Sequence, residues 1–99
     1  MSIETQRNQD TLTIFLPETF NMTTYHEFNQ AYQSHLNDAK HFVLDFYQTH
    51  HLDSAALGLL LLLRQRVGDG KRIKLIHLSD SVESTLKIAQ FQQLFDINA

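Results

Sequence analysis

The spacing of apolar positions changes repeatedly along the chain, and each change marks an element. Leu12, Ile14 and Leu16 alternate with Thr11, Thr13 and Phe15, so Asp10 to Leu16 predicts a strand with one buried face. Ile3 to Gln9 predicts a first edge strand, joined to it as a hairpin by a turn at Gln9 and Asp10. Pro17 closes the second strand, and Glu18 to Met22 reads as the loop out of it. Helical spacing starts after Thr24, which forms a capping-box pattern with Glu27. Phe28, Ala31, Tyr32, His35 and Leu36 make one stripe that can face a sheet, and Asn37 with Asp38 ends the helix. His35, on or beside that stripe, reads as a packing or boundary histidine.

Phe42 to Phe46 is apolar on both faces apart from Asp45, as an inner strand should be. An unpaired buried carboxylate is expensive, so Asp45 is expected to hydrogen-bond structurally near the strand's end. A short polar connection follows, and then an abrupt helix start at Asp53 and Ser54. The block from Ala55 to Leu63 is almost entirely apolar, which predicts a helix nearly wholly buried against a sheet. Periodicity cannot orient such a block. It is also far short of the roughly 20 residues that cross a bilayer, with Asp53 before it and Arg64 after it.

Gly68, Asp69 and Gly70 stop that helix. Ile73 to Leu78 is another strand, and Asp80 with Glu83 is a second capping-box pattern. The helix it opens contains Val82, Leu86 and Ala89, with Ile88 and Phe91 thickening its apolar side. Gln90 to Gln93 breaks the pattern, and Leu94, Phe95 and Ile97 read as a short last strand or a tail packed on the sheet. Strands alternating with helices through tight connections predict a small α/β domain, a mixed sheet with right-handed crossovers.

Composition narrows the function classes. Ninety-nine residues that are 42% hydrophobic, with one Pro and three Gly, make a single compact domain over 1–99. A net charge of -3 supplies no basic surplus for phosphate backbones, so nucleic acid is not an expected partner. Without cysteine there is no disulfide framework, thiolate nucleophile or cysteine metal site. The first residues have no positive segment followed by an apolar run, so a cytoplasmic protein is expected.

Candidate chemistry gathers before the leucine-rich helix. His50, His51 and Asp53 put three possible metal ligands within four residues. Neither HExxH nor a cysteine pair accompanies them, and adjacent histidines in an extended loop point apart, so no metal is expected. No Gly-x-Ser-x-Gly elbow surrounds Ser54, and no Walker loop or GxGxxG turn occurs. The chain is therefore not expected to be an enzyme or to hold a cofactor. Either Asp53 or Ser54 can supply the N-cap. A phosphate on Ser54 would sit where unpaired N–H groups and the helix dipole favour an anion.

The strand, the connection and the run Asp53-Ser54-Ala55-Ala56-Leu57-Gly58 resemble the signature of the STAS family, the domain of bacterial anti-sigma factor antagonists. That family typically shows Asp-Ser-Ser-Gly-Leu-Gly, and the first serine is the phosphorylated one, here Ser54. Ala55 and Ala56 replace the second serine and the first glycine, while Leu57 and Gly58 match. Pro17-Glu18 and Phe20-Asn21 stand where the family has a Gly and a Leu-Asp pair, and Gln90 stands where it often has Gly.

The resemblance covers essentially the whole chain. It implies a STAS (SpoIIAA-like) fold, a mixed four- to five-stranded sheet with helices mainly on one face. It also implies a partner switch. Unphosphorylated, the surface around Ser54 binds an anti-sigma factor of the GHKL serine kinase class and frees a sigma factor. Phosphorylation of Ser54 disfavours that complex, and a PP2C-type serine phosphatase resets it. The implied partner surface comprises His50, His51, Asp53, Ser54, Ala55 and Leu57, with Phe20 and Asn21 from the earlier loop. Short STAS proteins also resemble an accessory subunit of a lipid-transport ABC transporter, which would meet an ATPase subunit without entering the membrane; retention of Ser54 favours the switch over this alternative. A non-switching interaction domain, with Ser54 merely capping its helix, is the third expectation.

Overall fold

A computed structural model describes residues 3–97. Strands β1 (Glu4–Asn8) and β2 (Thr11–Phe15) form an antiparallel hairpin whose turn places Gln9 at φ 54°. Thr11↔His41 through Phe15↔Asp45 then register β2 in parallel with β4 (His41–Asp45). Strand β6 (Arg72–Ile76) pairs in parallel with β4, and β7 (Asp96–Ile97) pairs in parallel with β6. The sheet order is β1-β2-β4-β6-β7. This is the expected mixed sheet, antiparallel at one edge only.

Alternation decides which face is covered. Leu12, Ile14, Phe42, Leu44, Ile73 and Leu75 are buried under three helices: α1 (Tyr25–Gln33), α2 (Ser54–Val67) and α3 (Asp80–Ile88). Thr13, Phe15, Val43, Lys74 and Ile76 point to the other face, where each keeps some exposure. Burial of side chains such as Phe28, Tyr32, Leu60 and Leu63 on the helical side supplies the hydrophobic stabilisation.

Several local expectations are corrected. The segment Glu18 to Met22 is not simply a loop. It holds β3 (Thr19–Phe20), which pairs in parallel with β5 (His51–Leu52), and the start of a 3-10 turn over Met22–Thr24. Thr24 does not cap through its side chain; its hydroxyl donates to the Asn21 carbonyl, and Asn21 Oδ1 accepts from Thr23 N–H. Asn21 wins because the 3-10 turn moves the first free N–H groups one turn earlier. Helix α1 stops at Gln33, and a turn closed by Ala39 N–H on the His35 carbonyl runs through Asn37 and Asp38. His35 is indeed a boundary residue, half-buried with Nδ1 2.8 Å from Arg7 Nη1.

Ser79, not Asp80, caps α3, accepting from Val82 N–H, while Glu83 pairs with Lys87 at 2.8 Å. Ile88 is 81% exposed, because two positions beyond Leu86 is the opposite side of a helix. Strand β6 ends at Ile76 rather than Leu78, since His77 takes a left-handed φ of 59° and turns the chain.

Candidate functional site

The sheet has a direction, and the site lies at the end where β2, β4 and β6 finish. The connections leaving β2 and β4 are laced together there. Leu16 N–H donates to the Asp45 carbonyl at 3.0 Å, and Phe46 N–H to that of Ile76 at 3.0 Å. Gln48 Nε2 donates to the Leu16 carbonyl and Thr49 Oγ1 to that of Pro17, each at 2.9 Å. His50 and His51 N–H both reach the Glu18 carbonyl, at 2.9 and 3.1 Å. The β3–β5 ribbon completes the lacing. The segment leading into α2 is therefore a fixed platform, which spares a partner the entropy of ordering it.

Asp53 sits at the end of this platform in extended conformation, and its Oδ1 accepts Ala56 N–H at 2.9 Å. That settles the choice between two caps: Asp53 is the N-cap and Ser54 is the first helical residue, exposed and free of capping duty. Hydrogen bonding within the helix begins with Leu57 N–H on the Asp53 carbonyl, so Ser54 and Ala55 N–H face the open end.

Two concavities flank Ser54. On one side is a cleft of about 310 Å³ floored by Phe20, Leu52 and Val82. His50, His51, Asn21 and Asp53 stand along it, and α3 adds Ser81 and Thr85. On the other side is an apolar groove of about 540 Å³ between Met22 and Tyr25 and the α2 residues Ala55, Gly58, Leu59 and Leu62. Asp53 lines the first and Ala55 the second, so Ser54 lies in the chain between residues of the two concavities without lining either.

The residues that the resemblance implies for a partner surface differ in their exposure. His50, His51, Asp53 and Ser54 are exposed; Asn21, Ala55 and Leu57 are half-buried. Phe20 is the exception. It is fully buried, packed edge-on at 5.1 Å against Phe28, so it supports the surface from beneath and is not part of it.

The near-total burial expected of α2 is also corrected. Ala56, Leu59, Leu60, Leu63 and Val67 are buried, whereas Leu61 is 42% exposed, Gly58 is exposed and Leu62 is half-buried. With Met22, 56% exposed, they carry an apolar stripe away from Ser54. Sequence reasoning missed Met22, Leu61 and Leu62, although a signal existed. Ser54 and Gln65 are eleven positions apart, three helical turns, and these polar residues mark the outward side on which Gly58 and Leu61 fall.

Two displaced pKa values lie elsewhere. Burial pushes the Tyr32 hydroxyl up, against the opposing effect of Arg66 near the far end of α2. A hydrogen bond from Arg7 holds the Asp38 carboxyl below the usual carboxylate range. Among the described residues no cluster of three His, Asp or Glu side chains has metal-binding geometry, and no helix is long and apolar enough to cross a membrane.

Comparison with known proteins gives the site its context. A family model described as "Mlab, STAS domain" matches residues 3–96. A STAS-domain containing protein of Pseudomonas aeruginosa (strain UCBPP-PA14) is 36% identical over 88 residues, 88% of this chain and 87% of that relative. Two solved structures share the fold at lower identity. A putative anti-sigma factor antagonist from Thermotoga maritima superposes with a TM-score of 0.84 at 17% identity, covering 96% of this chain and 84% of that one. The anti-sigma factor antagonist SpoIIAA of Bacillus, in its unphosphorylated form, gives 0.82 at 13%, covering 99% and 89%. With sheet order, helical layer and the Asp53-Ser54 helix start all in place, the chain belongs to the STAS family, a family of regulatory modules rather than enzymes.

Proposed function

We propose that this domain is an anti-sigma factor antagonist: it docks an anti-sigma factor through the outward side of α2 and is released when Ser54 is phosphorylated. The observation that carries this reading is Ser54 itself, exposed at the first helical position and relieved of capping by Asp53. A residue kept only to cap would not be displaced from the cap position. The partner is an anti-sigma factor of the GHKL serine kinase class, which supplies the nucleotide and the chemistry, and a PP2C-type serine phosphatase removes the phosphate. His50, His51, Asp53, Ala55, Leu57 and Asn21 surround the contact, with Met22, Leu61 and Leu62 added by the exposed stripe. Neither nucleic acid nor membrane insertion enters this function.

A second reading is favoured by the apolar stripe. Permanent subunit interfaces are more hydrophobic than reversible ones, and Leu61, Leu62 and Met22 suit a constitutive contact with an ABC transporter ATPase subunit. A pull-down from the native cell, with intact-mass and phosphopeptide analysis of the bait, separates the two. A GHKL kinase in the eluate with phosphate on Ser54 is the expected result. An ABC ATPase with unmodified Ser54 would move the domain to the second reading.

A further inference from the structure

At the same end of the sheet, on the side the helices leave bare, lies a separate cleft of about 250 Å³ lined by Glu4, Phe15, Asp45, Tyr47, Gln48 and His77. Register explains its composition. Glu4 pairs with Phe15, Phe15 with Asp45 and Asp45 with Ile76, so the two carboxylates stand in one cross-strand row with Phe15 between them.

Asp45 is only 8% exposed, yet among the described residues no lysine or arginine pairs with it. Its Oδ1 accepts Tyr47 N–H at 2.9 Å and lies 3.0 Å from His77 Nδ1, the structural bonding expected of this residue. Both contacts use Oδ1. Among the described hydrogen bonds Oδ2 has none, and it is not enclosed either, so it remains open to the cleft. His77 is held in the left-handed region, where a side chain other than glycine is strained, and that strained backbone brings its ring onto Asp45. Tyr47 stands 79% exposed with its ring 6.1 Å from His77, edge to face. The cleft thus combines a buried carboxylate with a free oxygen, a second carboxylate and a largely exposed aromatic ring.

We propose that this cleft receives an arginine side chain from the protein partner. A guanidinium is the group that matches all three features: it is flat enough to stack on Tyr47, permanently charged, and forked to donate to Asp45 Oδ2 while facing Glu4. An ammonium offers no plane to stack. The occupant comes from a protein because the cleft and Ser54 lie at the two ends of one connection, Phe46 to Asp53, pinned to the β2 exit by Gln48 and Thr49. One partner can therefore touch both. This inference rests on the reading that the domain docks a protein at Ser54.

The test is a titration of the labelled full chain with N-acetyl-arginine methylamide, followed by amide NMR. Saturable shifts confined to Tyr47, Gln48, His77 and their neighbours are expected. The lysine analogue should bind at least threefold more weakly, and the uncharged citrulline analogue at least tenfold more weakly. Tyr47→Ala and Glu4→Gln each leave the core intact and should weaken arginine binding at least threefold. Equal shifts with citrulline, or arginine shifts spread over other surface carboxylates, overturn the proposal. Leu61→Asp keeps the two ideas apart: it should abolish partner capture while leaving arginine binding unchanged. Capture lost with Leu61→Asp but no arginine binding refutes the cleft alone; arginine binding with capture indifferent to Leu61→Asp refutes the α2 surface alone.

Discussion

Two residues at helix ends make opposite predictions. Ser54 does not cap, so Ser54→Ala should change the urea-unfolding free energy by no more than about 0.5 kcal/mol. Asp53→Ala removes the acceptor for Ala56 N–H and should cost about 1 kcal/mol. A larger loss for Ser54→Ala than for Asp53→Ala would return the capping role to the serine. Gln90 shows a cost the other way. It occupies φ 62°, ψ 34° between α3 and the 3-10 turn over Phe91–Gln93, a left-handed position that glycine fills without a clash. Gln90→Gly should therefore raise stability by up to about 1 kcal/mol, read as a higher thermal midpoint. Its departure from the family's usual glycine was visible in the sequence, but the strain was not, because φ is set by the chain leaving α3 for β7.

Among elements, α2 carries the sharpest contrast. Leu60 is fully buried and its neighbour Leu61 is 42% exposed. Leu60→Ala should cost about 2 to 5 kcal/mol in equilibrium denaturation. Leu61→Ala should cost no more than about 0.5 kcal/mol. A similar cost for both would mean that the helix is rotated from this placement. The strands were legible because alternation has a period of two, and Leu12, Ile14 and Leu16 leave one choice of face. The face of α2 was not, because a run of leucines carries no contrast; only Ser54 and Gln65 at its ends did. The capping boxes at Thr24 and Asp80 misled for a related reason. Asn21 and Ser79 sit just upstream, and which polar residue caps depends on how the chain enters the helix. Ribbon β3–β5 was illegible, since two-residue strands have no period at all. It matters nonetheless: Thr49→Val would strand the Pro17 carbonyl, and about 1 to 3 kcal/mol of stability should go with it.

The whole molecule is electrically polarised along its strands. Arg7, Lys40 before β4, Lys71 and Arg72 opening β6, and Arg64 and Arg66 closing α2 gather at the end opposite Ser54, with Lys87 in the last turn of α3; Asp38, Asp69 and Asp96 pair there with Arg7, Arg64 and Arg72 and offset only part of that charge. Glu18, Asp45, Asp53 and Asp80 lie at the Ser54 end, and no lysine or arginine lines either concavity beside the serine. This decides how a phosphate on Ser54 would act. A phosphate that reorganises its own chain commonly does so by capturing an arginine or lysine, and among the described residues none lines the concavities beside Ser54. The helix N-terminus favours the added charge by about 0.3 to 1 kcal/mol, while the nearby carboxylates oppose it. The two effects nearly cancel in the free domain, so phosphorylation should shift its unfolding free energy by less than about 1 kcal/mol. Its amide NMR changes should stay within the platform and the first turn of α2. Against a partner packed over Ser54, the same charge must be desolvated with no counter-ion from this side, and affinity should fall at least tenfold, or about 1.4 kcal/mol. Calorimetry on the phosphorylated and unmodified domains measures that ratio. Shifts spreading to Leu60 and Phe28 would show instead that the phosphate repacks the core, and that the switch acts through shape rather than charge.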